Sequence, residues 1–343
     1  MAIQNEKKVT MEDIAKRLNV SKNAVSLALN NKPGVSEKLR QRIVRTATEL
    51  NYGSFSTQLD NKSKCILVIV PEYIHNDTFF YSDIFWAIEQ EAKRQGYLSF
   101  TSSISCEAEK KLTLPLIPQE LNVIGLLVIG VIRDDYLRCI YEMGLPVVTV
   151  DITYHNIPVN SIASSNIAGA YDGTSYLVEC GHTDIGFIGP VYTAQSVYER
   201  WCGFHQAILK HNLTDHNEYH IFGANDHFEL LDTTSVLETY FDKVDRYPTA
   251  WFCAGDRIAI ALISLLNKKN ISVPNDISVM GFDDISVSHM ISPPLTTIRV
   301  DRKLMGELAV KRLTDQRIFH INLPGALIIR DSVRHLKRML SGG

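Results

Sequence analysis

Long apolar runs are missing from this chain of 343 residues. None approaches the roughly 20 consecutive apolar residues that a membrane-spanning helix needs, so no membrane partner is expected. Paired cysteines are missing too. Cys65, Cys106, Cys139, Cys180, Cys202 and Cys253 are scattered without a C-x-x-C motif, which fits reduced thiols and argues against a disulfide framework or structural zinc. The chain has no G-x-G-x-x-G, Walker or G-x-S-x-G motif, and its GFIGP stretch is too weak a glycine pattern to stand for one. No enzyme of those classes is signalled. His211, His216 and His220 lie in the polar stretch HNLTDHNEYH, which reads as a solvated loop more readily than as a metal site. No cofactor and no metal are therefore expected. The polar opening MAIQNEKK runs directly into a helical pattern, so no signal peptide is expected and the cytoplasm is the expected compartment.

What is present begins with apolar content, 45% of the residues, enough for a sizeable core at this length. The net charge of −3 conceals an asymmetry. Residues 1–64 hold twelve Lys and Arg against six Asp and Glu, a balance of +6 that leaves −9 on the remainder. A basic head on an acidic body suits phosphate binding by the head while the body is repelled from nucleic acid.

The head carries helix signals to match. Thr10 caps a first helix with Asp13 three residues on, and Ile14 and Leu18 share one face. Asn19-Val20 is a short turn, and Ser21 caps a second helix whose Ala24, Val25, Ala28 and Leu29 form an apolar stripe. Ser36 caps a third, with Leu39, Ile43, Ala47 and Leu50 completing a small core. Two helices joined by a tight turn and braced by another present one helix to a major groove. The outer face of that helix holds Lys22, Asn23, Ser26 and Leu27. Lys can donate to guanine, Asn can pair with adenine, and Leu can touch a thymine methyl. A three-helix cap with a merely solvated polar face is the alternative, and the charge argues against it.

From Cys65 on, short apolar strands alternate with helical stretches: Cys65–Pro71, a helix at 81–95, then 97–102, 123–129, 146–150, 185–188, 250–253 and 278–282. Continuous apolar strands, each followed by a helix, predict parallel sheets covered on both faces, with ligands at the carboxyl ends of the strands. Asp151, Asp256, Asp283 and Asp284 follow such strands. Their oxygens suit the hydroxyls of a polyhydroxylated ligand. Arg200 can donate from a helix start, and Phe79, Phe80 and Tyr81 can stack on a ring.

The segment VTMEDIAKRLNVSKNAVSLALN resembles the opening of the LacI/GalR family of bacterial repressors. The body stretches LNVIGLLVIG, GLPVVTVD, GHTDIGFIGP, ERWCGFHQAI, VPNDISVMGFDDISVS and PPLTTIRVD resemble that family's blocks in its order. The resemblance implies an all-α helix-turn-helix domain at 1–52 and a hinge at 53–64. The rest, 65–343, would be an α/β periplasmic-binding-protein-like (type I) effector domain of two doubly wound parallel-sheet lobes. One lobe would take about 65–163 and 293–322, the other about 164–292 and 323–343.

By the same resemblance Thr10, Ser21, Asn30, Ser36 and Tyr52 would touch the DNA backbone, with Met11 a further contact. Leu59, or else Phe55, would be the hinge wedge in a minor groove. Arg200 and Asp283 would bind an effector with Asp151, and Phe79–Tyr81 would line the pocket, while Asp284 is expected to cap a helix.

Three departures qualify this. AGDRIA stands where the family has ANDxxA, so Gly255 removes an amide and makes room for a bulkier effector. The stretch GSFSTQLDNK lacks the Pro and Arg of the usual PNxxARxL hinge, leaving a plain tether as the alternative. Leu27 stands where Arg is frequent. The expected function is a sequence-specific transcriptional repressor, binding a pseudo-palindromic operator as a homodimer and controlled by a small molecule, a sugar or sugar derivative. A cytoplasmic sugar-binding protein or an enzyme using the same cleft is the alternative.

Overall fold

The structure, a computed structural model, describes residues 9–29, 32–50, 52, 64–77, 79–118, 121–223, 230–244, 246–315 and 317–336. The chain divides into two compact units, one centred on the N-terminal helices and the other holding nearly all of the remainder. Among the described residues no helix is long and apolar enough to cross a membrane.

The N-terminal unit contains α1 (Met11–Leu18), α2 (Lys22–Leu29) and α3 (Glu37–Glu49). The Asp13 carboxylate accepts from the Thr10 backbone N–H at 2.8 Å and from its hydroxyl at 2.7 Å, which fixes the start of α1. That helix stops at Asn19, a residue that tolerates its left-handed φ of 53°. The hydroxyls of Ser21 and Ser36 accept from the N–H groups of Ala24 and Leu39, at 3.1 and 3.4 Å, and start the next two helices. Arg40 closes the end of α2 by donating to the carbonyls of Leu27, Ala28 and Lys32, acceptors that a helix end leaves open. Ile14, Val25, Ala28, Leu29, Ile43 and Ala47 are buried together, with Leu18, Leu39 and Leu50 packed against them.

In the body the strands are β1 (Lys64–Pro71), β2 (Leu98–Ile104), β3 (Asn122–Ile129), β4 (Val147–Val150), β5 (Asn160–Ser164), β6 (Ile185–Ile188), β7 (Ala250–Cys253), β8 (Ser278–Met280), β9 (Thr297–Arg299), β10 (His320–Leu323) and β11 (Ala326–Ile328). The helices are α4 (Tyr81–Arg94), α5 (Cys106–Lys110), α6 (Asp134–Tyr141), α7 (Asn166–Glu179), α8 (Gln195–Lys210), α9 (Leu230–Phe241), α10 (Asp256–Lys268) and α11 (Arg302–Lys311).

One sheet runs β10-β5-β4-β3-β1-β2 and a second runs β6-β7-β8. The pairings β1–β2, β3–β4, β4–β5, β5–β10, β6–β7 and β7–β8 are parallel. A third, two-stranded antiparallel ladder pairs β9 with β11, which the purely parallel expectation did not include. The strand expected to reach residue 282 ends at Met280. The Phe282 carbonyl instead accepts from the Asp256 N–H at 2.8 Å.

Strand burial explains why these runs read as unbroken apolar stretches. Along β1, Ile66, Val68 and Val70 join the main core, while Leu67 and Ile69 belong to a second cluster on the opposite face. Leu127 and Ile129 against Leu126 and Val128 repeat the pattern in β3. Side chains alternate with period two, so a strand covered on both sides must be apolar throughout. Ile84 and Ile88 of α4 and Met305 and Ala309 of α11 supply one cover; Tyr136, Leu137 and Ile140 of α6 supply the other. Helices α4 and α11 approach closely at Gly306, where a Cβ would stand 2.6 Å from the Ile84 carbonyl oxygen. Parallel sheets put the carboxyl ends of β1, β4, β7 and β8 toward a common cleft.

Candidate functional site

The cleft is organised around Arg200, which is only 6% exposed. Its Nε donates to Asn166 Oδ1 at 2.9 Å and its Nη1 to the Ala254 carbonyl at 2.6 Å. Its Nη2 lies 3.1 Å from Asp283 Oδ1, and the guanidinium sits 3.8 Å from the centroid of the Phe282 ring. A planar, permanently charged fork held on three sides is pre-organised to bind without further ordering.

The Asp283–Arg200 contact is at ion-pair distance but poorly aligned for a hydrogen bond. Asp283 Oδ1 is buried without a hydrogen-bond partner, and so is Asp151 Oδ1. The other Asp151 oxygen accepts from the Tyr81 hydroxyl at 3.0 Å. Burial pushes the Asp151 carboxyl up to about 7, with the Arg200 charge opposing and Asp283 reinforcing the shift. Burial also raises Asp283, against the pull of Arg200 and Arg302. Two buried carboxyl oxygens lacking donors are an unmet hydrogen-bonding demand, which a ligand hydroxyl or N–H can answer. Asp151 and Asp283 have positive φ, 70° and 110°; backbone strain of this kind in non-glycine residues concentrates at functional sites.

Residues outside the sequence reading complete the surroundings. Asp77 accepts from the N–H groups of Phe79 and Phe80, at 3.1 and 3.0 Å, and pairs with Arg257 at 2.9 Å. Arg302 donates to the carbonyls of Asp283 and Asp284 and to the Asp83 carboxylate. Arg257 directly follows Asp256 in the AGDRIA stretch, but nothing there marks its guanidinium for the cleft, and only the fold places it and Arg302 beside these acids.

Several expectations need correction. Asp256 is fully buried, and its carboxylate accepts from the Ile285 N–H and from the hydroxyls of Ser288 and Thr297. It anchors the cleft loop to α10 and leaves nothing for a ligand; burial and the Asp283 charge push it up to about 7. Asp284 caps no helix: turns follow it, and it binds Arg299 and Arg330 at 2.6 Å each. Phe80 packs into the main core at 8% exposure, edge-on to Tyr81, so of the aromatic trio Phe79 is the exposed ring and Tyr81 acts through its hydroxyl. The stretch around the three histidines is not simply solvated. The His220 side chain is buried beside Trp201 and bonded to Asp215, while His211 faces Ser175 and His216 faces Glu218. No group of three or more His, Cys, Asp or Glu among the described residues could hold a metal.

In the N-terminal unit Thr10, Ser21, Lys22, Asn23 and Ser36 are exposed, with Lys22 and Asn23 opening α2. Ser26 and Leu27 are half-buried, as is Met11, which leans on the small core. Tyr52 is buried in that core, which makes it a packing residue rather than a surface contact. Asn30, Phe55, Leu59 and the expected hinge up to residue 63 lie outside the described residues, and Lys64 already opens β1.

Comparison with known proteins agrees with this division. Residues 10–54 match the family model described as bacterial regulatory proteins, lacI family, and residues 174–333 match that of a periplasmic binding protein-like domain. The HTH-type transcriptional repressor PurR of Histophilus somni (strain 2336) is 30% identical, over 95% of this chain and 99% of its own length. That of Mannheimia succiniciproducens is also 30% identical, with the same coverage. Among solved structures, a lac repressor dimer bound to operator and the anti-inducer ONPF is 28% identical, with TM-score 0.66, covering 96% of this chain and all of its own. A transcriptional regulator CelR–cellobiose complex, at 22% identity, shares the fold with TM-score 0.68, covering 94% of this chain and 99% of its own. The chain belongs to the LacI/GalR family: it is a DNA-binding transcriptional repressor with a small-molecule effector and not an enzyme.

Proposed function

We propose that the protein binds a pseudo-palindromic operator as a homodimer in the cytoplasm, and that a sugar or sugar derivative in the cleft sets its grip. The observation that carries the effector reading is the pair of buried oxygens without a hydrogen bond, Asp151 Oδ1 and Asp283 Oδ1, the latter ion-paired to the fixed Arg200. A ring with several hydroxyls donates to both acids and accepts from the guanidinium. Lys22 and Asn23 read bases, and Thr10, Ser21 and Ser36 hold phosphates.

The dimer is supported by the lac repressor structure, which is a dimer on its operator. Two-fold protein symmetry then demands two-fold symmetry in the DNA. A ligand shifts this equilibrium only as far as it prefers one lobe arrangement over another.

Sedimentation of the full chain, alone and on DNA fragments retained from the source genome, tests the assembly. Two copies on each inverted repeat are expected. One copy on a site without symmetry would contradict the proposal.

A further inference from the structure

Among the acids and cations of the cleft, Arg257 is used differently from its neighbours. Arg200 is held by hydrogen bonds to Asn166 and the Ala254 carbonyl and by its ion pair with Asp283, and Arg302 by Asp83 and two backbone carbonyls. Arg257, at the start of α10, makes one ion pair, Nη2 to Asp77 Oδ1 at 2.9 Å, and its guanidinium carbon lies 5.8 Å from the Phe79 ring centroid. Its side chain is 42% exposed. The contact spans the cleft, since Asp77 follows β1 of the six-stranded sheet and Arg257 follows β7 of the other.

Asp77 does not depend on it. Its Oδ1 already accepts from the N–H groups of Phe79 and Phe80. Arg257 can therefore turn away without leaving that carboxylate unsatisfied, at the cost of one partly exposed ion pair. Gly255 keeps the space beside it open: a Cβ there would stand 3.3 Å from Asp283 Oδ2. The inner end of the cleft thus seeks hydrogen-bond donors, and its rim offers a guanidinium fork over an aromatic face.

We infer that Arg257 is a specificity-determining residue for an anionic effector. The molecule carries hydroxyls that meet Asp151 and Asp283, and a carboxylate or phosphate that takes the Arg257 fork from Asp77. Arg fits this role because its planar fork binds either anion bidentately. The inference rests on the cleft being the effector site, and it narrows the sugar derivative to an acidic one.

The test uses the full-length protein and matched pairs of probes, D-gluconate with D-glucose and D-ribose 5-phosphate with D-ribose, with binding followed calorimetrically. In at least one pair the anionic member is expected to bind about tenfold or more tightly than its neutral partner. Arg257→Gln should erase that advantage and leave the neutral partner unchanged. Asp77→Asn, which keeps the acceptor and removes the competing charge, should widen it. Asp283→Asn should weaken both members of the pair.

An advantage that survives Arg257→Gln, equal binding within both pairs, or no binding by either anionic probe at millimolar concentration overturns the inference. Loss in Asp283→Asn with no effect of Arg257→Gln overturns it alone and leaves the cleft standing. Binding indifferent to Asp283→Asn overturns the cleft reading itself.

Discussion

Lys22 and Asn23 stand exposed at the start of α2, whereas Arg200 and the Asp151 and Asp283 oxygens that lack hydrogen bonds are withdrawn from water. On the proposed reading the two regions recognise their partners by opposite means. The N-terminal unit meets a long polyanion, so its chemistry is surplus surface charge and side chains that reach outward. The body meets a small molecule, so its chemistry is desolvated, partly unsatisfied groups whose protonation is displaced by burial. A substitution in the first should change which DNA is held while leaving the fold alone. One in the second should disturb stability and ligand response together.

The largest effect is expected at Arg200. Arg200→Ala leaves Asp283 without its counter-charge and removes donors from Asn166 and the Ala254 carbonyl. Breaking such a buried pair costs about 3–5 kcal/mol, and urea unfolding of the body should show it. Next comes Ile14→Ala, at a side chain with no exposure in the small helical core. A loss of about 2–5 kcal/mol is large against what so small a unit can hold. DNA binding should vanish while the body's unfolding transition stays where it was; a shift of that transition would break the comparison.

Lys22→Ala should cost about 1–3 kcal/mol of discrimination at one or two base pairs, with binding to random DNA nearly intact. Equal losses on specific and random DNA would make Lys22 a phosphate contact instead.

A further effect is a slope with pH. Burial raises the Asp151 carboxyl to about 7 in the folded body, against about 3.9 for an unfolded aspartate. The folded state therefore binds protons that the unfolded chain has released. That contribution is complete below about pH 4 and lost as pH rises through about 7. Body stability should fall between about pH 4 and 7, and Asp151→Asn should flatten the slope. An unchanged slope in that variant would mean Asp151 is ionised in the fold.

Much of this was legible in the sequence because local rules agreed with the fold. Thr10 and Asp13 close the box their spacing suggests, and strands 185–188 and 250–253 fall where unbroken apolar runs placed them. What escaped depends on contacts between distant segments. Asp256 follows a strand like Asp151 does, yet Ser288 and Thr297 fold over it. Asp77 and Arg257 meet across the cleft although 180 positions part them in the chain, and nothing local marks either. His220 sits in a polar stretch but turns into an aromatic cluster. The antiparallel pairing of β9 with β11 escaped because three-residue strands carry too little periodicity to show their partner.

The most direct test of the account is capture of source-genome fragments by the full-length protein and by its Lys22→Ala variant at moderate salt, followed by sequencing. The account predicts one enriched inverted repeat for the wild-type protein, degraded at one or two symmetric positions in the variant. Retention of fragments with no shared motif, or an identical motif for both proteins, would contradict it.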